Sequence, residues 1–167
     1  MSIGRFFRHL FSDFWSVRRA FPPDVMAAIE REIGAQESRH DGELRFAVEA
    51  SLPLNDLVRG VRGRERAIEL FSRLRVWDTA QNTGVLIYLL LADRDVEIVA
   101  DRGIHLKVGE AGWEAICREM EREFARGDFR QGVIGGVQAI SDLLGQHCPS
   151  RPDNPDELSN RPVIVDD

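Results

Sequence analysis

Two cysteines, one lysine and one tyrosine in 167 residues leave several chemistries without their ingredients. Cys117 and Cys148 form no CxxC pair, and His9, His40, His105 and His147 are scattered, so no zinc ligand set stands at a usual spacing. So few cysteines also exclude the small disulfide-stapled class, which a chain of this length does not need to join. No excess of basic residues is present either. The 28 acidic and 22 basic residues give a formal charge of −6, which argues against bulk nucleic-acid binding, where a basic surface must displace phosphate counterions. Missing too are a GxSxG elbow, the CxxxxxR loop of cysteine phosphatases, the DxDx[TV] of aspartate-nucleophile phosphatases, and the Lys-Ser/Thr pair that would make Gly60-Val61-Arg62-Gly63-Arg64 a P-loop. What remains is the composition of one ordinary globular domain, 43% hydrophobic.

The charge divides the chain into three parts. Residues 1–21 form a cationic aromatic arm in which Arg5, Arg8, Arg18 and Arg19 stand against Asp13. Residues 150–167 form an acidic Pro- and Asp-rich tail with five acids against Arg151 and Arg161. The two excesses cancel, so the whole net charge belongs to the body, residues 22–149. In the arm, Phe7, Leu10, Phe11, Phe14, Trp15 and Val17 or Arg18 share one side of a helical wheel, which predicts an amphipathic helix. Its apolar runs are too short for a signal peptide or for a bilayer span of about 20 residues. Such a helix suits packing on its own domain or a sister subunit, or docking at a membrane interface with arginines among the headgroups.

Along the body, Pro22-Pro23-Asp24 starts a helix carrying Val25, Met26, Ile29 and Ile33, which Ser38 to Gly42 ends. Residues 43–50 alternate strictly and predict a strand with one wetter face. After a loop from Ser51 to Gly63, Ala67, Leu70, Phe71, Leu74 and Trp77 line a helix ending near Asp78. The apolar run Val85 to Leu91 predicts a central strand covered on both faces. A polar turn, Ala92 to Asp95, then leads into an antiparallel strand over 96–100. Two further helices carry Trp113, Ile116, Cys117, Met120 and Phe124, then Val133, Val137, Ile140 and Leu144. Val163 to Val165 is one short strand in an otherwise coiled tail. The order α-β-α-β-β-α-α, with the handedness rule for crossovers, predicts an α/β sandwich with a small mixed sheet: a parallel βαβ unit, an antiparallel hairpin, and about four covering helices.

The stretch NTGVLIYLLLADRDVEIVADRGI at residues 82–104, with Gly42-Glu43-Leu44-Arg45-Phe46 before it and Trp113, Phe124, Gly127 and Gly132 after it, resembles the TPM domain over roughly residues 22–149. The resemblance implies an α/β sandwich, which agrees with the order of elements. It further implies kinship with plant proteins implicated as acid phosphatases in photosystem II repair and able to bind a divalent cation, and with bacterial proteins that are often membrane-anchored. The signal peptide and membrane span of longer members have no counterpart in these residues. The expectation is a cytoplasmic protein, or one peripheral to the inner face of the membrane.

Two polar groups could carry chemistry. Ligands of parallel sheets favour the carboxyl ends of the strands, where Asp93-Arg94-Asp95 should meet the loop that holds Asp56. Asp56, Asp93 and Asp95 would suit a hard cation, Ca²⁺ or Mg²⁺, with Arg94 beside a phosphate. By itself, a D-R-D turn is also an ordinary solvated hairpin tip. At the other end lie Glu43, Asp78, Asn82, Asp101 and Arg102, of which Glu43, Asn82 and Asp101 form the alternative ligand set, with a plain Glu43–Arg102 pair as the simpler reading. Two functions follow: a non-catalytic adaptor that binds a protein or membrane partner, or a second copy of itself, through residues 1–21, or a metal-assisted acid phosphatase working through metal-bound water and Asp93, Arg94 or Asp95.

Overall fold

The computed structural model describes residues 3–12, 14–152 and 156–166. Its centre is a four-stranded sheet in the order β3-β2-β1-β4, with β1 at Glu43–Glu49, β2 at Gly84–Leu90, β3 at Asp95–Ala100 and β4 at Val163–Val165. Strand β1 runs parallel to β2 and to β4, and β3 runs antiparallel to β2, as the crossover rule predicts. Every residue of β2 is buried, as its unbroken apolar run requires.

Helices cover both faces. On one face lie α3 (Pro23–Gln36), α7 (Glu110–Ala125) and α8 (Phe129–His147), whose periodic apolar residues meet Leu44, Phe46 and Val48 of β1. Ring contacts tie this layer together, with Phe21 5.6 Å from Phe46 and 5.7 Å from Phe129 between centroids. The other face packs on α5 (Gly63–Arg73) through Ala67 and Leu70, against Ala47, Leu86, Tyr88 and Leu90. Gly84 starts β2 beneath the Val76 carbonyl, where any Cβ would collide with backbone.

Several expectations need correction. Strand β1 has no wetter face, because α5 covers its Glu49 end and the C-terminal segment from Glu157 to Ser159 its Glu43 end; Glu49 is buried and only Arg45 is partly exposed. The loop from Ser51 to Gly63 contains a short helix, α4 (Leu54–Arg59), which the left-handed Gly60 ends at φ 78°. Helix α5 stops at Arg73, so Trp77 sits outside it and is exposed. Asp101 opens a further helix, α6 (Arg102–Val108), by accepting the Arg102 N–H. The arm is two helices, α1 (Ile3–Phe11) and α2 (Phe14–Ala20), rather than one. This division sends Val17 into the core while Phe7, Leu10 and Trp15 stay exposed, so these members of the expected stripe do not share one side in space; the Phe11 and Phe14 side chains lie outside the described residues.

Candidate functional site

The hairpin tip between β2 and β3 lies at the carboxyl end of β1, where Leu91 and Ala92 donate their N–H groups to the carbonyls of Glu49 and Ala50. Arg94 takes a left-handed conformation there, φ 53°, and turns the chain. Asp93 is not free in this tip. Arg5 Nε donates to its Oδ2 at 2.8 Å, Arg8 Nη2 to its Oδ1 at 3.1 Å, and His9 Nε2 lies 3.1 Å from Oδ2. Burial alone would raise the Asp93 pKa, but the hydrogen bonds from Arg5, His9 and Arg8 outweigh it and hold the carboxyl below its ordinary value.

Helix α1 therefore docks by its polar side. At 100° per residue Arg5, Arg8 and His9 share one face of α1, and Phe7 and Leu10 fall on the opposite one. The clamp runs along α4: Arg5 also reaches the Val61 carbonyl beyond the end of α4, and His9 accepts the N–H of Leu52 before its start. With α1 held this way, Phe7 (50% exposed) and Leu10 (59%) reach the surface, as do Leu54 (59%) and Val58 (66%) of α4. Leu10 and Leu54 line one shared hollow. The sequence pattern marked an amphipathic helix here, but nothing local shows which side a helix buries.

Beneath this end of the sheet lies a buried ionic network that sequence reasoning missed. Arg66 of α5 forms a bidentate pair with Glu49 at 2.7 and 3.0 Å, both side chains almost wholly buried, and reaches Glu69 at 3.0 Å. Tyr88 donates to Glu49 at 2.6 Å, and burial together with the Glu49 charge pushes its phenol far up. The lone tyrosine inside an otherwise aliphatic strand was the available signal.

The expected cation ligands do not converge as they were grouped. Asp56 lies in the first turn of α4, and Asp93 is held by the arm. The Asp95 carboxylate packs over Gly63, in contact with the place its Cβ would occupy, and burial with the charges of Glu121 and Asp93 raises its pKa. At the opposite end, Asp101 caps α6 and Asn82 turns the chain at φ 52°. Asp78 and Arg102 are exposed there too. Glu43 is buried, and it accepts the N–H groups of Glu157 and Leu158 instead of pairing with Arg102. Among the described residues the carboxylates that do gather are Glu37, Glu43 and Asp156, with oxygens within 4.8 Å of one another. Burial, then the charges of Asp156 and Glu43, raise the Glu37 pKa to about 7. Three oxygen donors of this kind are what a hard cation takes, and two of them were outside the expected set. No helix among the described residues is long and apolar enough to cross a membrane.

A mixed four-stranded sheet between helical layers, with the chain's own arm seated at one strand end, defines an α/β sandwich domain. The chain matches the TPM domain over residues 18–143 and belongs to that family. The match begins after Val17, so the clamping residues Arg5, Arg8 and His9 lie outside it, as does β4. Among solved structures, the NMR structure of BA42 protein from the psychrophilic bacterium Bizionia argentinensis sp. nov. is similar, at 27% identity and a TM-score of 0.76, over 85% of this chain and 93% of that one. No curated protein matches the chain.

Proposed function

We propose that this TPM domain is a non-catalytic accessory module that attaches to an anionic membrane surface through α1. The reversed docking of α1 carries the reading. A helix that spends its arginines and histidine on a half-buried carboxylate presents Leu10, and half of Phe7, at the surface; Leu54 of α4 lines a hollow with Leu10, and Val58 is exposed one turn further along α4. Exposed arginines stand on neighbouring segments: Arg59 and Arg62 around the end of α4, and Arg94 at the hairpin tip. Aromatic and leucine side chains ringed by arginine are the composition of an interfacial helix, and the positive local charge on an acidic protein suits anionic headgroups better than a second copy of the same surface.

Flotation with vesicles tests this. The full chain is expected to float with phosphatidylglycerol-containing vesicles and not with pure phosphatidylcholine, and to lose flotation in a Phe7→Ser/Leu10→Ser variant whose circular dichroism is unchanged. Absence of flotation on anionic vesicles, or a dimer in light scattering that this variant dissociates, overturns the reading.

A further inference from the structure

A groove of about 630 Å³, lined by none of the residues of the Asp93 clamp, lies between the start of α3 and the edge strand β4. That volume is in the range of small-molecule sites. Its walls are apolar, with Phe21, Met26, Pro162 and Ile164, and three guanidinium groups, Arg18, Arg45 and Arg161, stand along it against one acid, Glu30. On a protein of net charge −6 the groove is locally cationic.

Arg45 makes the groove more than a basic patch. It projects from β1 and is partly buried; Nη1 donates to the Ser159 carbonyl at 2.6 Å, while Nε is closed off from solvent with no hydrogen-bond partner. Among the described residues no carboxylate pairs with it, and Arg161 on the rim has no ion pair with them either. Burial lowers the Arg45 pKa with no opposing negative charge to offset it. Guanidinium has five donors, and a partly desolvated one that uses a single donor on a neutral carbonyl lacks its counter-anion.

We infer that this groove binds an amphiphilic organic anion, a carboxylate or phosphate ester on a hydrocarbon chain, with the head on Arg45 and Arg161 and the chain along Met26, Pro162 and Ile164. The apolar wall argues against a bare inorganic ion, and Arg45 and Arg161, which pair with no carboxylate among the described residues, argue against an uncharged lipid. The site is separate from the α1–α4 face, so it stands or falls independently of membrane attachment.

Calorimetry on the full chain with monomeric decyl phosphate and decanoate, below their micellar concentrations, tests it, with inorganic phosphate and decanol as the two half-ligands. At least one amphiphile should bind about tenfold more tightly than either half-ligand, and Arg45→Met should weaken it by about tenfold. Amide shifts on binding should centre on Ala27 and Ile164. Removing a cation that has no counter-ion should leave the fold intact; if Arg45→Met is nevertheless unfolded, the exposed Arg161→Gln decides by the same loss of affinity. Binding unchanged in these variants overturns the site, as do equal affinity for inorganic phosphate, no binding of either amphiphile, or shifts confined to α1 and α4. Flotation of Arg45→Met on anionic vesicles should match the wild type, which separates this site from the membrane face.

Discussion

The backbone N–H of Leu52 donates to His9 Nδ1 at 3.1 Å, which leaves the ring proton on Nε2, 3.1 Å from Asp93 Oδ2. One buried imidazole thus ties α1 to the loop before α4 and to the β2–β3 tip, and Arg5 and Arg8 complete the hold on the same carboxylate.

Asp93→Asn should release α1. Amide exchange over residues 3–12 is expected to accelerate at least tenfold while that of β1 and β2 stays slow, with a loss of about 1–2 kcal/mol, charge-assisted bonds to a partly exposed group being worth roughly that. Since the folded pKa of Asp93 is lowered, its stabilisation is complete above the ordinary carboxylate range and disappears as pH falls through the lowered value. Acid should therefore undock α1 in the wild type and change nothing in the variant.

Arg66→Met should cost about 3–5 kcal/mol, because it strands the Glu49 carboxylate in the core. Replacing both partners, as Glu49→Leu/Arg66→Met, should recover most of that loss in urea denaturation. Tyr88→Phe, which removes a single donor, should cost about 1–2 kcal/mol.

Glu37 should make the protein less stable as pH rises. Its folded pKa of about 7 lies above the unfolded value, so the folded state holds an extra proton between the two; the stabilisation is complete below the unfolded pKa and is lost on passing 7. Glu37→Gln should flatten this dependence and raise stability at pH 8 by about 1–2 kcal/mol after allowance for solvent screening. A wild-type stability that climbs between pH 5 and 8 relative to the variant contradicts the assignment.

The cation and phosphatase readings can be checked together. Calorimetric binding of Ca²⁺ or Mg²⁺ is expected to be lost in Glu43→Gln and kept in Asp93→Asn, because the gathered oxygens are those of Glu37, Glu43 and Asp156. An accessory role predicts no turnover of p-nitrophenyl phosphate with either cation. Turnover that Glu43→Gln abolishes would instead place hydrolysis at that cluster.

Much of the sheet was legible because its signals are local. An unbroken apolar run makes β2 a covered strand, and a short polar turn makes β2 and β3 a hairpin; the parallel crossover needs only chain order and handedness. Helices α4 and α6 were missed because, at six and seven residues, each offers barely two turns of periodicity. The site was legible only in part. Asp93 could be picked out as a carboxylate at a strand end, but its partners stand 84–88 positions earlier, and Glu43 meets the backbone of a tail 114 positions later.

The amino-acid sequence by itself determined the three-part distribution of charge, the α/β alternation, the parallel and antiparallel pairings, and the amphipathic character of the arm. All of these depend on residue type and on spacing within one element. The tertiary structure alone decided which face of α1 is buried, which carboxylates gather, and which charges are left without a partner. Those outcomes depend on electrostatics and desolvation between distant segments. A wheel whose apolar side calls for burial is overruled by one half-buried aspartate that takes three donors.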